Sequence, residues 1–412
     1  MAFSIEADKP QQADLDKCVH CGLCLNACPT YRELGVEMDS PRGRIYQMVQ
    51  VASGEAQIND AYLEHMGLCL ACRGCETACP SGVPYGRLIE AARADIENRI
   101  HRPWYQRLLR SIVFTYLLPS RTNLRLAGAL LRLSRLMPGK LASLAPEPEF
   151  PFFYRYYGKT LPAEGDRRYR VAFLGGCIAN ISFARLNEAT VRVLRNNGCE
   201  VSIPAGQTCC GALHVHAGIR DQARKLARQN IDALLDNNYD AIVTNAAGCG
   251  STLKEYGELL DDDRARRFSA LIKDVTEFLA GIELNLDMHP LPVSVTYQDS
   301  CHLAHGQRIR SAPRKLMASI PGLQLREMAL SDLCCGSAGI YNVIHTDMAL
   351  ALLEKKMQSV NATRAEVIAT ANPGCMLQLR AGVKRHGTGQ RVAHVVELLD
   401  EAYRLSPRNL SR

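Results

Sequence analysis

No apolar run in these 412 residues approaches the ~20 that a membrane-spanning helix requires, so the chain is not expected to cross a bilayer. The N-terminus, Met1-Ala-Phe-Ser-Ile-Glu-Ala-Asp, has neither the basic nor the apolar region of a secretory signal, and the cysteine count of 17 is odd. A disulfide framework is therefore not expected, and a reducing cytoplasm is the predicted compartment. No Gly-x-Gly-x-x-Gly turn follows a strand, which leaves no fingerprint for a flavin or a nicotinamide in this chain. Acidic residues are missing from one long stretch. Residues 98–146 hold nine Lys or Arg (Arg99, Arg102, Arg107, Arg110, Arg121, Arg125, Arg132, Arg135 and Lys140), so the rest nets −2 out of a formal +7. With 47% hydrophobic content the chain can bury two or three ordinary cores.

What is present is cysteine, in two runs. Cys18-Val-His-Cys21-Gly-Leu-Cys24-Leu-Asn-Ala-Cys28-Pro29 is matched by Cys69-Leu-Ala-Cys72-Arg-Gly-Cys75-Glu-Thr-Ala-Cys79-Pro80. Each has the Cys-x-x-Cys-x-x-Cys-x-x-x-Cys-Pro spacing of a bacterial ferredoxin, in which three close thiolates hold one cluster and the fourth Cys ligates the other. By that rule one [4Fe–4S] cluster takes Cys18, Cys21, Cys24 and Cys79, and a second takes Cys69, Cys72, Cys75 and Cys28. Structural zinc is disfavoured, because zinc ribbons split their thiolates into two distant Cys-x-x-Cys pairs.

Between the runs, Ser40-Pro41 reads as N-cap and first position of a helix that lasts until Gly54. Arg42 and Arg44 then fall in the first turn, where the dipole disfavours cations; they either face an anionic neighbour or are solvated. Val83 to Ile100 reads as a second helix. In the basic stretch, Arg121, Arg125, Arg132 and Arg135 share one helical arc, with Leu126, Leu130, Leu133 and Met137 opposite and Trp104 and Tyr105 flanking. That arrangement suits either an anionic membrane surface or an ordinary surface helix. Nucleic acid is not an expected partner, since no binding motif accompanies the charge. Residues 146–168, rich in proline at their start, read as a linker.

From Tyr169 onward, short β-branched runs alternate with helical stretches, and an internal repeat appears. Cys177, the pair Cys209-Cys210-Gly211 and Cys249 recur as Cys301, Cys334-Cys335-Gly336 and Cys375. The tails correspond too, as Asp274-Val-Thr-Glu and His394-Val-Val-Glu. Strands are predicted at 170–174, 201–203 and 241–244, and again at 293–297, 325–328 and 367–370, each followed by one of the cysteines. Ligands in open α/β sheets collect at the carboxyl ends of strands, so the four cysteines of each half are expected to converge and form a candidate third metal centre or centres. Vicinal cysteines acting as a redox dithiol, or simply packing, are the alternatives. Cys199 has no repeat partner and is expected to be buried. His214, His216, His302 and His305 lie close to the thiols in sequence.

The predicted architecture is an α+β/α/β multidomain chain. A helical ferredoxin-like domain with two [4Fe–4S] clusters (1–100) precedes a basic amphipathic segment and linker (101–168). Two duplicated Rossmann-like Cys-Cys-Gly domains (169–290 and 291–412) follow. Two ferredoxin runs followed by two Cys-Cys-Gly modules resemble the iron–sulfur subunit of glycolate oxidase over nearly the whole chain. The specific pieces are Ser40-Pro-Arg-Gly-Arg-Ile-Tyr, Thr77-Ala-Cys-Pro-Ser-Gly-Val, Ala247-Gly-Cys-Gly, Lys254-Glu-Tyr-Gly and Leu333-Cys-Cys-Gly-Ser-Ala-Gly. His305 stands out among the histidines because its spacing from Cys301 also resembles the family. The resemblance implies a subunit that takes electrons from FAD-containing partners oxidising glycolate to glyoxylate. It also implies a membrane quinone as acceptor and a location at the cytoplasmic face of the inner membrane. Lactate and glycerol-3-phosphate systems use related subunits. The Cys-Cys-Gly modules also resemble heterodisulfide reductases, which would make them catalytic. That motif ends in a further cysteine, however, where this chain has Thr252 and Gln378.

Overall fold

The computed structural model describes residues 8–131, 147–235 and 237–404. The N-terminal unit is helical, built from Gln12–Leu15, Pro29–Leu34, Pro41–Ala52, Asp60–Leu68, Gly74–Ala78 and Tyr85–Arg99. The Ser40 hydroxyl accepts the Gly43 amide at 3.0 Å and Pro41 opens the helix, whose chain turns away at Gly54 (φ 81°). Gly43 admits no side chain, because a Cβ there would stand 2.0 Å from the Glu37 carbonyl oxygen. Ile45, Met48, Met66, Leu88 and Ile89 form the core of this unit, and Cys69 and Cys75 are part of the same apolar packing.

Helix Trp104–Ser111 follows, then a wide turn at Ile112–Leu117 and helix Arg121–Leu130. Phe114, Leu118 and Leu124 anchor the segment against Ile181, but no residue of Trp104–Ser111 is buried. Arg121 departs from the expected solvated or lipid-facing row. Its guanidinium donates to the carbonyls of Ala205 and Gln207 and lies 4.7 Å from the Tyr157 ring centre, so unsatisfied loop carbonyls hold it against the protein. Arg102 and Arg110 both pair with Glu97, which enters the basic stretch in space though not in sequence. Arg132, Leu133, Arg135, Met137 and Lys140 lie outside the described residues. The expected linker also differs. Phe153 is fully buried, and strand β1 (Lys159–Leu161) pairs antiparallel with Cys199–Ile203, because that edge of the sheet would otherwise lie unpaired.

The rest of the chain forms two sheets of matching order. The first holds β2 (Tyr169–Phe173), β3 (Cys199–Ile203), β4 (Ala241–Thr244) and β5 (Ile272–Asp274), in the order β1-β3-β2-β4-β5 and parallel except for β1. The second holds β6 (Ser294–Tyr297), β7 (Gln324–Leu325), β8 (Val367–Thr370) and β9 (Arg391–His394), in the order β7-β6-β8-β9 and parallel throughout. β5 and β9 each end on the first residue of the corresponding tails, Asp274 and His394, although neither is periodic enough to announce a strand. Every strand of β2 and its equivalents reaches its cysteine at the carboxyl end.

The halves exchange helices. Val275–Ala280, which follows β5, packs on Ser311–Ala318 of the second half; Val395–Arg404, which follows β9, packs on Ala184–Asn196 of the first. This reciprocity is that of a two-fold interface within one chain. One apolar core runs through both sheets, from Val171 and Phe173 to Val295, Tyr297 and Tyr403, with Cys199 buried in it as expected. At its edge Arg192 grips Asp400 with two hydrogen bonds of 2.8 and 2.7 Å.

Candidate metal and thiol centres

The two ferredoxin-type runs trace the same backbone path. His20 and Gly22 have positive φ in the first, and Ala71 and Arg73 have it at the matching positions of the second. Two left-handed residues between successive cysteines coil the loop tightly enough to turn its thiols inward. In the second run the result is a cavity lined by Cys69, Cys72, Cys75 and Cys28, together with Arg44, Arg73 and Tyr85. The fourth thiol thus comes from the other run. The Ala71 amide donates to Cys69 Sγ at 3.4 Å, and Cys28 Sγ lies 3.2 Å from Thr30 Oγ1. Burial holds the Cys72 and Cys75 thiols well above their ordinary pKa, so a cationic metal group is what would stabilise their thiolates. Arg44 supplies charge from the protein side. It is fully buried and faces Tyr85, Cys69 and Cys28, while its Nε donates to His65 O at 2.7 Å and it pairs with Asp39 at 3.1 Å. Of the two readings for these arginines, the anionic neighbour holds for both, Arg44 at Asp39 and the thiols and Arg42 at Glu37. Arg42 stays nearer the surface, held by Glu37 and the His20 carbonyl.

Of the other set, Cys18, Cys24 and Cys79 pack against the same core, and Cys21 is exposed. Cys24 interacts electrostatically with both Cys18 and Cys28, so the two sets are neighbours, and burial pushes its thiol up to about 11. Among the described residues no three Cys, His, Asp or Glu side chains gather tightly enough for a single metal ion. In the second set four thiols line one cavity, which fits a cluster in which each thiolate meets a different iron.

The Cys-Cys-Gly sets converge as well. In the first half Cys177 Sγ is 3.6 Å from Cys209 Sγ and Cys210 Sγ is 3.1 Å from Cys249 Sγ, with Cys209 and Cys210 joined by a further thiol contact. The second half repeats the chain of contacts as Cys301, Cys334, Cys335 and Cys375. The glycine has a structural task in each. Gly211 (φ 80°) and Gly336 (φ 89°) are left-handed, and each amide donates to the first thiol of its pair at 3.5 Å. The Lys254-Glu-Tyr-Gly piece braces the first set. Lys254 binds Glu277 at 2.6 Å, Glu255 binds Arg73, and the Tyr256 hydroxyl donates to Cys210 O at 2.8 Å. Thr252 and Gln378 are both buried where a fifth cysteine would otherwise stand, and Gln378 is tied to Asn342 and the Ala349 carbonyl.

The second set is joined to the ferredoxin-type unit. Cys72 interacts electrostatically with Cys334, and Cys301 with Cys72, within a small apolar cluster that also holds Leu70 and Tyr341. The Tyr341 hydroxyl donates to Leu68 O at 3.0 Å. Among the histidines, His302 is the one in contact with a thiol, its Nδ1 being 3.7 Å from Cys301 Sγ. His305 instead braces the Thr77 hydroxyl at 2.8 Å and the Asp332 carbonyl at 3.0 Å. His216 stacks on His302 with ring centres 5.2 Å apart and binds Glu90, and His214 binds the Phe114 carbonyl. Arg73 and Tyr341 were not picked out from the sequence, since each acts through partners far along the chain.

Residues 14–83 match the model of a 4Fe-4S dicluster domain, and residues 171–254 and 295–380 each match that of a cysteine-rich domain. A Bacillus subtilis protein named probable glycolate oxidase iron-sulfur subunit is 39% identical, across 96% of this chain and 95% of its own length. The Escherichia coli glycolate oxidase iron-sulfur subunit is 34% identical across 97% of this chain and 96% of its own. A component of the fumarate reductase (CoM/CoB) of Methanothermobacter marburgensis is 36% identical, but over 57% of this chain and 46% of its own length.

Proposed function

Since the chain belongs to the glycolate oxidase iron–sulfur subunit family, we propose that it carries single electrons from a flavin-bearing partner oxidising glycolate toward a membrane quinone. Its [4Fe–4S] clusters supply one-electron chemistry when bound. The observation that carries the reading is the cavity that Cys69, Cys72 and Cys75 share with Cys28 rather than with Cys79. Cys18, Cys21, Cys24 and Cys79 hold the first cluster on this reading, at the more exposed end where Cys21 meets solvent. Arg44 holds positive charge against the second set and favours its more reduced, more negative form. The test is glycolate-dependent dye and quinone reduction by the chain alone, by the flavin partners alone and by both. Turnover of glycolate by the isolated chain would reject the reading.

A second reading, that a Cys-Cys-Gly set is itself reactive, is favoured by one observation. A cavity of about 100 Å³ reaches Cys334, with Lys355 and Lys356 in its wall. The corresponding first-half thiols line none of the main cavities among the described residues. The Rossmann-like description of the halves and the domain limits near 100, 168 and 290 belong to the same proposal; β1 and Phe153 favour extending the third domain backward.

We place the protein at a membrane surface. Among the described residues no helix is long and apolar enough to cross one. Trp104, Leu109 and Leu126 are 75%, 63% and 63% exposed, with Arg107 and Arg125 beside them in sequence. An unpaired apolar face with basic residues suits the boundary of an anionic bilayer. Flotation with vesicles should show binding to anionic lipid that weakens when Trp104 and Leu109 are both changed to Ser. Equal binding to neutral vesicles would remove the arginines from the account.

A further inference from the structure

We propose that the cleft between the ferredoxin-type unit and the first α/β half is where electrons leave the chain, and that its occupant is a quinone head group. This rests on the electron-carrier reading above and assigns that carrier its outlet. The cleft is a cavity of about 230 Å³. That volume admits a single ring.

One residue makes the connection. Arg73 lines this cavity and also the bowl formed by Cys28, Cys69, Cys72 and Cys75, so the two share a side chain. The remaining walls come from distant parts of the chain: apolar at Val83 and Pro84, which lead into helix Tyr85–Arg99, at Val215 in the first half and at Leu259 on helix Tyr256–Leu260, and charged at Glu76, Arg87, Glu90 and Glu258. These apolar groups suit the faces of a flat ring. At the rim stands Arg308 from the second half. It is exposed, left-handed (φ 58°) and without an ion-pair partner among the described residues. A left-handed arginine is held there at a cost, and it lines the cavity within which a ring carbonyl would need a donor.

Reduction of a quinone also needs protons. Glu255 lines the cavity and touches Arg73; desolvation raises its carboxyl above the usual carboxylate range, against the pull of that arginine. Each quinone would take two electrons, passed singly from the cluster held beside Arg73 and drawn originally from the hydroxy acid. It would also take two protons, one from the Glu255 carboxyl and one from solvent at the cavity mouth, and would leave as quinol. The Glu255 carboxylate is then reprotonated from water.

The test uses the full chain loaded with iron and sulfide and reduced with dithionite. Heptyl-hydroxyquinoline N-oxide, a quinone analogue, is titrated by its fluorescence quenching while the EPR lines of the reduced clusters are recorded. One binding site with a change in those lines is expected. Val215→Trp should weaken binding by about ten-fold or more and abolish the spectral change, with iron content and the ligand-free spectrum as checks of integrity. If that variant does not retain its iron, Leu259→Trp fills the same space from the other wall. Glu255→Gln should bind the analogue within about three-fold of wild type, yet lower short-chain quinone reduction by the assembled complex about ten-fold. Undiminished analogue binding in a Trp variant that keeps its iron, or wild-type quinone turnover in Glu255→Gln, overturns the assignment. Loss of glycolate-dependent dye reduction in the wild-type complex would instead overturn the carrier reading. The binding arm does not depend on that assay.

Discussion

The two α/β halves have the same strand order, the same chain of four thiols and the same left-handed glycine, yet different surroundings. In the second half Cys334 and Cys301 stand beside Cys72, and the buried Lys356 donates to the carbonyls of Leu330 and Ser331 close to Cys334 and Cys335. In the first half the helix Arg220–Leu234 approaches with Asn230, whose amide donates to Cys209 O at 3.0 Å, while Cys177 packs beside Phe114 and Ile181. Duplication preserved the backbone that collects four thiols. The neighbouring elements decide what those thiols can exchange electrons with.

The largest difference should appear at the glycines. Both are left-handed, which costs a side chain about 1–2 kcal/mol. A Cβ at Gly336 would also meet the Ala349 carbonyl oxygen at 2.5 Å, whereas at Gly211 the nearest atom is Ala223 Cα at 3.4 Å. Gly336→Ala is therefore expected to lose about 3 kcal/mol or more, and Gly211→Ala about half of that. Thermal unfolding of the two full-length variants measures this. A larger fall for Gly211→Ala would show that the second half can relax where the first cannot.

The next difference is one of sign. Asp274 ends β5 and accepts the Thr276 amide at 2.8 Å; His394 ends β9 and its Nδ1 accepts the Val396 amide at 3.2 Å. Burial pushes Asp274 up to about 6 and His394 down to about 4. Unfolded, the same groups titrate near ~3.9 and ~6.5. The raised carboxyl contributes stability that is full below ~3.9 and is lost as pH rises to about 6. The depressed imidazole contributes stability that is full above ~6.5 and is lost as pH falls to about 4. Across pH 4–6 the halves oppose each other, each on the order of 2 kcal/mol. His394→Asn should leave stability falling as pH rises through that window, and Asp274→Asn should leave it rising. Parallel slopes in the two variants would show that these caps do not set the pH response.

These contrasts also mark what the sequence could disclose. The two ferredoxin-type runs were legible because the chemistry dictates a local spacing, and the cavity that Cys28 lines with Cys69, Cys72 and Cys75 is compatible with the sharing of thiols between runs. Also legible were Cys199, the capped start at Ser40-Pro41 and the strand leading to Cys209, whereas the strand before Cys334 is Gln324–Leu325 and not 325–328. The segment 146–168 reads as a linker because the partner of β1 lies some forty residues on, and pairing at that distance leaves no periodic trace. Arg121 looked like part of a free basic face because nothing local announces the carbonyls of Ala205 and Gln207. His302 and His305 have similar sequence neighbourhoods; only the fold turns the first toward Cys301 and the second toward Thr77.

The smallest expected effect bears most directly on electron flow. If the second set is the electrical neighbour of the ferredoxin-type unit, Cys334→Ser should alter the cluster held by Cys69, Cys72, Cys75 and Cys28, and Cys209→Ser should not. The reason is proximity: Cys334 shares an apolar pocket with Leu70 and Cys72, and reduction potential responds to the polarity and hydrogen bonding around the ligating sulfurs. A hydroxyl in place of that thiol adds a stronger hydrogen-bonding group to a dry site. We expect a shift on the order of 30–60 mV, the latter being about ten-fold in a one-electron equilibrium. Redox titration followed by EPR reads it directly, with Cys209→Ser as the matched control from the other half. Equal shifts in both variants would mean that the effect travels through the shared core. No shift in either would mean that Cys72 is insulated from Cys334 despite their proximity, and the comparison between the halves would lose its electronic meaning.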